Sequence, residues 1–314
     1  MLQQPLVSIL INNYNYGHFL SEAIDSALKQ TYPHLEIIVV DDGSTDNSRE
    51  VITSYKDKII PVFKENGGQA SAFNAGFVAS SGEIICLLDA DDLFLPHKVT
   101  KIVNILSSSS TTGWCFHALE LIDKNLHAIE KAANCNKSLK KAENLVKEYD
   151  LRFHLQQGKL NNYIPSYGVP ATSGLCFRRS LLEQILPMPE AEKVSLSDNY
   201  IKYLALALAK GCVISQPLAS QRIHGNNIYT RRKDNQKITA RIAILTAYWL
   251  RVKLPKISKF TNNIFASGLT TYWQLGGIEP EFKTMVQKYI KSSTWRDKLA
   301  IYSKSFYYYL KWQI

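Results

Sequence analysis

Four short apolar runs in the first hundred residues alternate with segments of helical periodicity, and this alternation limits the folds open to the chain. The predicted strands are residues 6–11, 36–40, 59–63 and 83–88. The predicted helices between them are residues 19–30, 47–55 and 69–79. Strands that are apolar throughout and joined by helices are typically buried on both faces of a sheet. We therefore predict an α/β fold with a mainly parallel sheet flanked by helices.

The fourth run ends in Asp89-Ala90-Asp91-Asp92, which puts three carboxylates into four positions. Carboxylates this close cannot all ionise cheaply without a cation among them, and oxygen ligands suit Mg²⁺ or Mn²⁺. Ligands of parallel sheets bind at the carboxyl ends of the strands. Those ends carry Asn13-Tyr14, Asp41-Asp42, residues 64–68 and residues 89–92. A polar turn in which Asp92 caps the next helix is the alternative interpretation.

The composition is that of a folded chain. Its 314 residues, 46% of them hydrophobic, suffice for one large or two modest domains. The five cysteines lack metal-ligand spacing, and their odd number argues against a disulfide framework. The first residues lack a basic segment followed by an apolar one, and no uncharged apolar run reaches the length of a membrane span. A reducing, cytoplasmic location is expected.

The net charge of +10 is concentrated in the last third of the chain. Residues 225–314 contain 16 Lys and Arg against 4 Asp and Glu, whereas residues 1–224 contain 21 against 23. This basic region suits an anionic membrane surface, an anionic glycan or lipid-linked acceptor, or nucleic acid, and a solvated basic face on ordinary helices is equally consistent. Its predicted helices are residues 235–253, 257–274, 281–292 and 295–312. On the last helix, one side is predicted to carry Leu299, Tyr302, Phe306, Tyr309 and Leu310.

Several motifs follow one another in a fixed order. They are residues 7–15 (VSILINNYN), 27–33 (ALKQTYP), 36–46 (EIIVVDDGSTD), 66–70 (NGGQA), 74–76 (NAG), 82–83 (GE), 89–92 (DADD), 172–179 (TSGLCFRR) and 222–227 (RIHGNN). In this order they resemble family 2 glycosyltransferases with the GT-A fold, roughly over residues 5–230. The resemblance implies a catalytic domain at 1–230, with a nucleotide-binding half at about 1–100 and an acceptor-side half at 101–230. A helical basic region would follow at 231–314.

The resemblance implies transfer of a sugar, of hexosyl type, from a nucleotide-sugar donor, most often UDP-linked, to a glycan or lipid-linked acceptor. It also implies an inverting single displacement. The nucleoside diphosphate leaving group needs a divalent cation, Mn²⁺ or Mg²⁺. By the family's pattern Asp91 ligates the metal, and Asp89 contacts the ribose or the donor sugar. His224 would complete the metal shell or touch the diphosphate, while Asp92 either supports the metal ligands or caps a helix.

The resemblance places the nucleoside at the ends of the first two strands. Tyr14 would stack on the base, Asp42 would accept from a pyrimidine N–H, and the backbone of Asn12 and Asn13 would approach the base. Because Asn12-Asn13 stands where the family commonly has Pro-Thr, the choice of nucleobase stays open. A glycine pair would admit ribose or diphosphate close to the backbone, or form a simple loop. The whole predicted pocket is Asn12, Asn13, Tyr14, Asp42, Asn66, Gly67, Gly68 and Asp89.

An inverting transferase needs a base that takes the proton of the acceptor hydroxyl. The family places a carboxylate, usually within Glu-Asp, at the start of a helix in the second half of the domain. Asp198 matches this position, with Ser197 where the Glu often stands. Asp198 is therefore the predicted base, and helix capping is the alternative role.

Three other function classes are less consistent with the sequence. A sugar-phosphate nucleotidyltransferase needs a Gly-rich basic loop after its first strand, and residues 13–18 do not form one. A noncatalytic nucleotide- or glycan-binding module would be favoured if the metal or base carboxylates were missing, but they are present. Nucleic-acid binding lacks a recognised module. We expect an enzyme of surface polysaccharide or glycoconjugate assembly, cytoplasmic or peripheral at the inner face of the plasma membrane, and make no prediction of its oligomeric state.

Overall fold

The computed structural model describes residues 4–129, 145–160, 162–190, 198–225 and 235–313. Within these ranges one nine-stranded sheet runs through the molecule in the order β3-β2-β1-β4-β8-β6-β9-β5, with β7 paired to β9. Its strands are β1 Val7–Asn13, β2 Leu35–Asp42, β3 Ile60–Lys64, β4 Ile84–Asp89, β5 Leu93–Phe94, β6 Thr112–Ile122, β7 Val146–Tyr149, β8 Leu175–Arg178 and β9 Lys210–Arg222. Strands β5, β7 and β8 run against the others. The prediction of a mainly parallel sheet is confirmed.

Helices cover the sheet and form the end of the described chain. They are α1 Gly17–Leu28, α2 Ser48–Ser54, α3 Gly68–Ala79, α4 Lys98–Ser107, α5 Arg152–Gln156, α6 Arg179–Ile185, α7 Asp198–Leu208, α8 Asn235–Lys253, α9 Ser258–Gln274, α10 Pro280–Lys291 and α11 Trp295–Gln313. The four helices predicted in the basic region are all present. The weak periodicity of residues 131–170 suggests an insertion or a mobile loop. The short elements β7 and α5 lie in this segment.

Successive side chains of the central strands alternate between the two faces of the sheet and pack into two apolar layers. Leu10 of β1 packs into one layer with Phe73 of α3, whereas its neighbour Ile9 packs into the other with Ile24 of α1. Strands that bury both faces in this way have no solvent-facing side, as their unbroken apolar sequences predict. Pairing of β1 with both β2 and β4 sets Asn12 opposite Asp89. The polar ends of these three strands therefore meet at one edge of the sheet.

The C-terminal helices share a core with the sheet. Leu245, Leu250 and Phe260 belong to the same buried cluster as the residues of β2 and β4. A further cluster lies among α8, α9, α10 and α11, where the rings of Phe265 and Tyr289 stack with centroids 3.9 Å apart. The predicted domain boundary near residue 230 falls outside the described residues and stays a prediction.

Helix α11 has a buried side and an outer side. Ile301 and Ser305 are buried, and the Ser305 hydroxyl donates to the Ala266 carbonyl of α9 at 3.1 Å. Four of the five residues predicted to share a side are 43–64% exposed, and they are Leu299, Tyr302, Phe306 and Leu310. Tyr309 differs, because it is half-buried with its ring 6.4 Å from that of Trp273. Among the described helices, none combines the length and apolar character required to cross a bilayer.

Long strand β9 was not predicted, and Gly211 illustrates why. A glycine soon after a helical run is typical of a helix C-cap, but α7 ends at Leu208 and Gly211 lies within β9. It pairs with Trp114, whose buried indole covers the strand so closely that a Cβ on Gly211 would lie 1.9 Å from the ring. Gly211 is therefore required by packing between β6 and β9 rather than by the end of a helix.

We predict that Gly211→Ala lowers the free energy of unfolding by about 3 kcal/mol, the upper end of the usual cost of overpacking, because the Trp114 ring is enclosed. Urea unfolding followed by tryptophan fluorescence measures the change. Gly225→Ala is the matched control, since its added Cβ meets no described atom within 4 Å. Equal unfolding midpoints for the two variants would contradict the packing assigned to Gly211.

Candidate functional site

The carboxyl ends of β1, β2 and β4 open into a cavity of about 470 Å³. Helix α3 contributes Gln69 and Ala72 to its wall, and α7 contributes Asp198 and Asn199. The sequence-predicted site residues that line this space are Asn12, Asn13, Tyr14, Asp42, Asn66, Gly68, Asp89, Asp91 and Asp198. The fold thus brings together side chains that lie almost two hundred residues apart in the sequence.

Three carboxylates crowd the centre of this cavity. Asp89, Asp91 and Asp92 can place one oxygen each within 4.8 Å of one another. Burial, followed by the charges of Asp92 and Asp91, raises the pKa of Asp89 well above its usual range. Such a cluster disfavours full ionisation until a cation shares the space. The three carboxylates could hold a metal ion.

Asp92 is the buried member of the three carboxylates, and it does not cap a helix. One oxygen accepts from the Ser173 hydroxyl at 2.6 Å and the other from the Arg222 backbone N–H at 2.9 Å. The next helix, α4, begins only at Lys98. Burial and the charge of Asp91 raise the pKa of Asp92 to about 8, even though both hydrogen bonds favour the ionised form. The cap interpretation is therefore wrong, and Asp92 supports the loop from below.

A buried lysine lies on the other side of Ser173. Lys98 donates from Nζ to the Ser173 carbonyl at 2.7 Å, and its ammonium lies 3.3 Å from the centre of the Phe94 ring. Burial lowers the pKa of Lys98. Because the Ser173 hydroxyl also accepts from the Asp89 backbone N–H at 3.1 Å, one serine links this lysine to the Asp92 carboxylate and to the Asp89 backbone.

Arg222, at the end of β9, fixes the carboxylate loop against α1. It is 1% exposed, and its Nε donates to the Asp91 carbonyl at 2.9 Å. The same guanidinium donates to Glu22 of α1 at 2.6 Å and lies 4.4 Å from the Phe19 ring centre. Sequence reasoning missed this residue, although it begins the motif that contains the predicted metal ligand His224.

His224 lies beside Asp91 rather than on the cavity lining. Its Nε2 is 3.0 Å from Asp91 Oδ2, and its ring packs against Tyr16 and Phe19 at 5.6 and 4.8 Å. Neighbouring ligands of an octahedral ion at about 2.1 Å are about 3 Å apart. Asp91 and His224 therefore already have the separation that two adjacent metal ligands need.

At the end of the cavity predicted to bind the nucleoside, the Tyr14 ring is accessible and the Asp42 carboxylate already accepts hydrogen bonds from the protein. Tyr14 is 43% exposed, so its face is free to stack. Asp42 Oδ1 accepts from Lys64 Nζ at 2.6 Å and from the Gly67 N–H at 3.0 Å, and Oδ2 accepts from the Gly68 N–H at 2.7 Å. A carboxylate offers about four lone-pair sites, which leaves one for a ligand. The glycine pair thus binds Asp42, and Gly67 does not line the cavity.

The side-chain amides of Asn12 and Asn13 differ in their hydrogen-bond partners. Asn13 Nδ2 donates to Asp41 at 2.9 Å and to Ser44 at 3.1 Å, which shapes the loop after β2. Both polar atoms of the Asn12 amide are buried on the cavity side without a partner among the described residues, as is Oε1 of Gln69. The side chain that stands where the family commonly has proline therefore has unused hydrogen-bonding capacity beside the cavity.

Asp198 begins α7 and faces the carboxylates across the cavity. Its Oδ2 lies 3.3 Å from Lys202 Nζ, and that buried ammonium also donates to the Pro170 carbonyl at 2.9 Å. The charge of Asp198 contributes to the raised pKa of Asp89. The i,i+4 spacing of Asp198 and Lys202 is visible in the sequence and could have revealed this pair. Ser197 lies outside the described residues.

Sequence comparison relates the chain to known glycosyltransferases. A family model described as Glycosyl transferase family 2 matches residues 8–169. An uncharacterised glycosyltransferase of Nostoc sp. is 41% identical over 225 residues, which cover 70% of this chain and 66% of that protein. The chain spans only about two fifths of the length of some other relatives that it matches.

Two solved structures share the fold. Residues 1–349 of S. aureus TarS, in complex with UDP-GlcNAc, superpose with a TM-score of 0.65 at 16% identity, covering 96% of this chain and 89% of that chain. The mannosyltransferase PcManGT from Pyrobaculum calidifontis, in complex with GDP-Man and Mn²⁺, gives a TM-score of 0.52 at 15% identity, covering 98% and 88%. At these identities the likeness concerns the fold.

Proposed function

Because this chain belongs to glycosyl transferase family 2, we propose that it transfers a hexosyl unit from a UDP-sugar to a hydroxyl of a glycan or lipid-linked acceptor. One observation carries the proposal: Tyr14, the carboxylates Asp89 and Asp91, and Asp198 surround a single cavity. A stacking surface, a metal site and a base are the three elements that this reaction needs. The UDP-GlcNAc complex of TarS supports the donor class, and the GDP-Man complex of PcManGT identifies the competitor to test.

In this proposal the donor lies along the ends of β1, β2 and β4. Tyr14 stacks on the base, the remaining acceptor site of Asp42 receives the base N–H, and Asn66 lies beside it. Asp89 accepts from hydroxyls of the ribose or the donor sugar. The Asn12 amide, which has both a donor and an acceptor, binds the base or the ribose.

Asp91 and His224 would hold Mn²⁺ or Mg²⁺, with Asp92 and Arg222 keeping the loop in place. When bound, the ion offsets the charge that develops on the diphosphate leaving group. A cation also relieves the repulsion among the three carboxylates. Carboxylate oxygens suit both ions, whereas an imidazole ligand would favour manganese, a transition metal, over magnesium.

Asp198 is the proposed base. As the bond from the acceptor oxygen to the anomeric carbon forms and the bond to the diphosphate breaks, the hydroxyl proton passes to Asp198. Attack from the side opposite the diphosphate inverts the anomeric centre. Lys202 orients the carboxylate through one oxygen and leaves the other available to the acceptor.

We expect Asp91→Asn to abolish transfer and to weaken Mn²⁺-dependent UDP binding at least tenfold, because a neutral amide cannot offset the cation's charge. Asp89→Asn should weaken donor binding with less effect on metal dependence. Calorimetric titration of UDP with and without Mn²⁺ measures both. Asp57→Asn, which alters an exposed carboxylate that does not line the cavity, is the matched control. Unchanged affinity in Asp91→Asn would remove Asp91 from the metal site.

Asp198→Asn should leave UDP affinity nearly intact and lower turnover about a hundredfold or more, the usual range for loss of a positioned base. Transfer is followed as release of UDP from UDP-sugars and of GDP from GDP-sugars, with Asp57→Asn again as control. A collapse of UDP affinity, or unaltered turnover, would place the base elsewhere. Release of pyrophosphate from a nucleoside triphosphate would instead indicate a nucleotidyltransferase.

We also propose that the protein contacts a membrane surface, where it would meet its acceptor. Trp295, Leu299, Tyr302 and Phe306 are exposed along the outer side of α11, spaced by four, three and four residues. Lysines and arginines outnumber acids by 12 over residues 225–314. Aromatic rings suit the headgroup boundary, and each basic residue near an anionic surface contributes on the order of 1 kcal/mol. Peripheral contact at the inner face of the plasma membrane would bring the cavity to a lipid-linked acceptor of surface polysaccharide or glycoconjugate assembly.

We expect the full chain to sediment with anionic but not neutral vesicles, and salt to weaken the binding. Leu299→Ser with Phe306→Ser should reduce sedimentation, whereas Val78→Ser, which alters an exposed apolar residue on α3, should not. Point variants are preferable to truncation because α11 also packs on α9. A double variant that loses a dimer while vesicle binding stays absent throughout would identify the outer side of α11 as a subunit interface.

A further inference from the structure

A second and larger cavity, about 830 Å³, is lined by residues 158–160 and 162, by α9 and by α11. We call it the lysine groove, after Lys159, Lys304 and Lys311 on its walls. It is an open groove at the surface rather than an enclosed apolar hole. None of the predicted donor, metal or base residues lines it.

The lysine groove adjoins the first cavity across two helices. On α8, Ile242 lines the first cavity and the next residue, Ala243, lines the groove. On α7, Asp198 lines the first cavity and Tyr203 lines the groove. Five residues of α-helix rise about 7.5 Å, which is on the scale of one or two sugar units. The two cavities therefore lie on either side of these helices, separated by about one helix diameter, roughly 10 Å, which is less than the length of a glycan of a few units.

The charge of the groove is positive. The described residues that line it include the three lysines and no aspartate or glutamate. Lys159 and Lys311 are exposed, and within the described part of the chain neither has a carboxylate within ion-pair distance. Lys304 is fixed in place, because its Nζ donates to Asn263 at 2.8 Å and lies 5.6 Å from the centre of the Tyr308 ring. Positive groups gathered without counter-charges attract an anionic ligand.

The remaining walls offer hydroxyl, amide and aromatic groups. Ser267, Thr271 and Gln274 follow one another along one side of α9 and face the groove, which ends against the ring of Tyr308. Such side chains exchange hydrogen bonds with sugar hydroxyls, and an aromatic ring offers an apolar surface to the ring carbons. The groove therefore combines the contacts of a glycan site with the charge of an anion site.

A bilayer is a poorer occupant than a glycan. At 3.6 residues per turn, the groove residues Lys304, Tyr308 and Lys311 lie about half a turn around α11 from Leu299, Tyr302 and Phe306. A flat lipid surface that contacts the outer side of α11 would leave the groove lysines facing away from it. A chain of repeating units can enter a groove, whereas a surface cannot.

We propose that the lysine groove binds an anionic stretch of the acceptor, a glycan chain that bears phosphate or carboxylate groups, while the end of that chain presents its hydroxyl to Asp198. This inference rests on the proposed glycosyl transfer. It gives the acceptor a chemical class, and it assigns binding of the repeating units to a place separate from the donor cavity.

The test uses the full chain and three probes: a glycerol phosphate tetramer, a galacturonate tetramer and neutral maltotetraose. Calorimetry is performed with and without UDP and Mn²⁺, so that occupation of the donor cavity is controlled. The variant is Lys159→Gln with Lys311→Gln, and the matched control is Lys288→Gln with Lys291→Gln, two exposed lysines of α10 outside the groove. We expect one charged tetramer to bind more tightly than maltotetraose and to lose at least tenfold in affinity in the groove variant only, with UDP affinity unchanged.

Which charged tetramer binds distinguishes phosphate from carboxylate as the acceptor's anion. Equal affinity for the groove variant and its control, or equal affinity for charged and neutral tetramers, would overturn the proposal. Loss of anionic vesicle binding in the groove variant without any change in tetramer binding would assign the lysines to lipid and would also overturn it. If the unaltered protein fails to bind UDP while the groove still binds a charged tetramer, the proposed transferase function fails and the groove stands on its own.

Discussion

The contact between Arg222 and the carboxylate loop is the interaction on which the candidate site depends. Its backbone N–H binds Asp92, its Nε binds the Asp91 carbonyl, and its outer nitrogen binds Glu22 of α1. Burying a carboxylate without partners is costly, and the Arg222 backbone N–H and the Ser173 hydroxyl satisfy Asp92, while the Arg222 guanidinium fixes the Asp91 backbone. The end of β9, the loop after β4 and the first helix are thereby held as one unit, and His224 follows two residues later.

Local patterns predicted the parts of the fold whose causes are local. Unbroken apolar runs revealed β1 to β4, and helical spacing revealed α1, α3 and the four C-terminal helices, since each pattern lies within one segment. The neighbours of β9 are far away in sequence: Ser220 pairs with Leu93 and with Glu120. Nothing near Arg222 or Gly211 in the sequence indicates these partners. Fold class could be predicted from the first hundred residues, but the pairing in the second half of the sheet could not.

The site residues also divide into those with local sequence signals and those whose partners are far away in sequence. Asp89, Asp91 and Asp42 follow strands and carry recognisable motifs, so sequence reasoning identified them and the fold brings them to one cavity. Lys64, Lys98 and Lys202 escaped notice because lysines are common and their partners are set by tertiary structure, apart from the helical pair with Asp198. The glycines at 67 and 68 are predicted either to admit a ligand close to the backbone or to form a simple loop, and the structure adds a further role for their N–H groups. They fix the Asp42 carboxylate and thereby connect the glycine loop to the end of β2.

The unpartnered amide of Asn12 makes the stability of the protein sensitive to what fills the cavity. Buried donors and acceptors without a partner cost about 1–3 kcal/mol each, and the described residues satisfy neither Nδ2 nor Oδ1 of this side chain. A proline at this position would have carried no such cost. Solvent or a ligand must complete the amide, and a ligand with a matching donor and acceptor completes it better than one without. A ligand that completes this amide binds the folded state and therefore raises the free energy of unfolding.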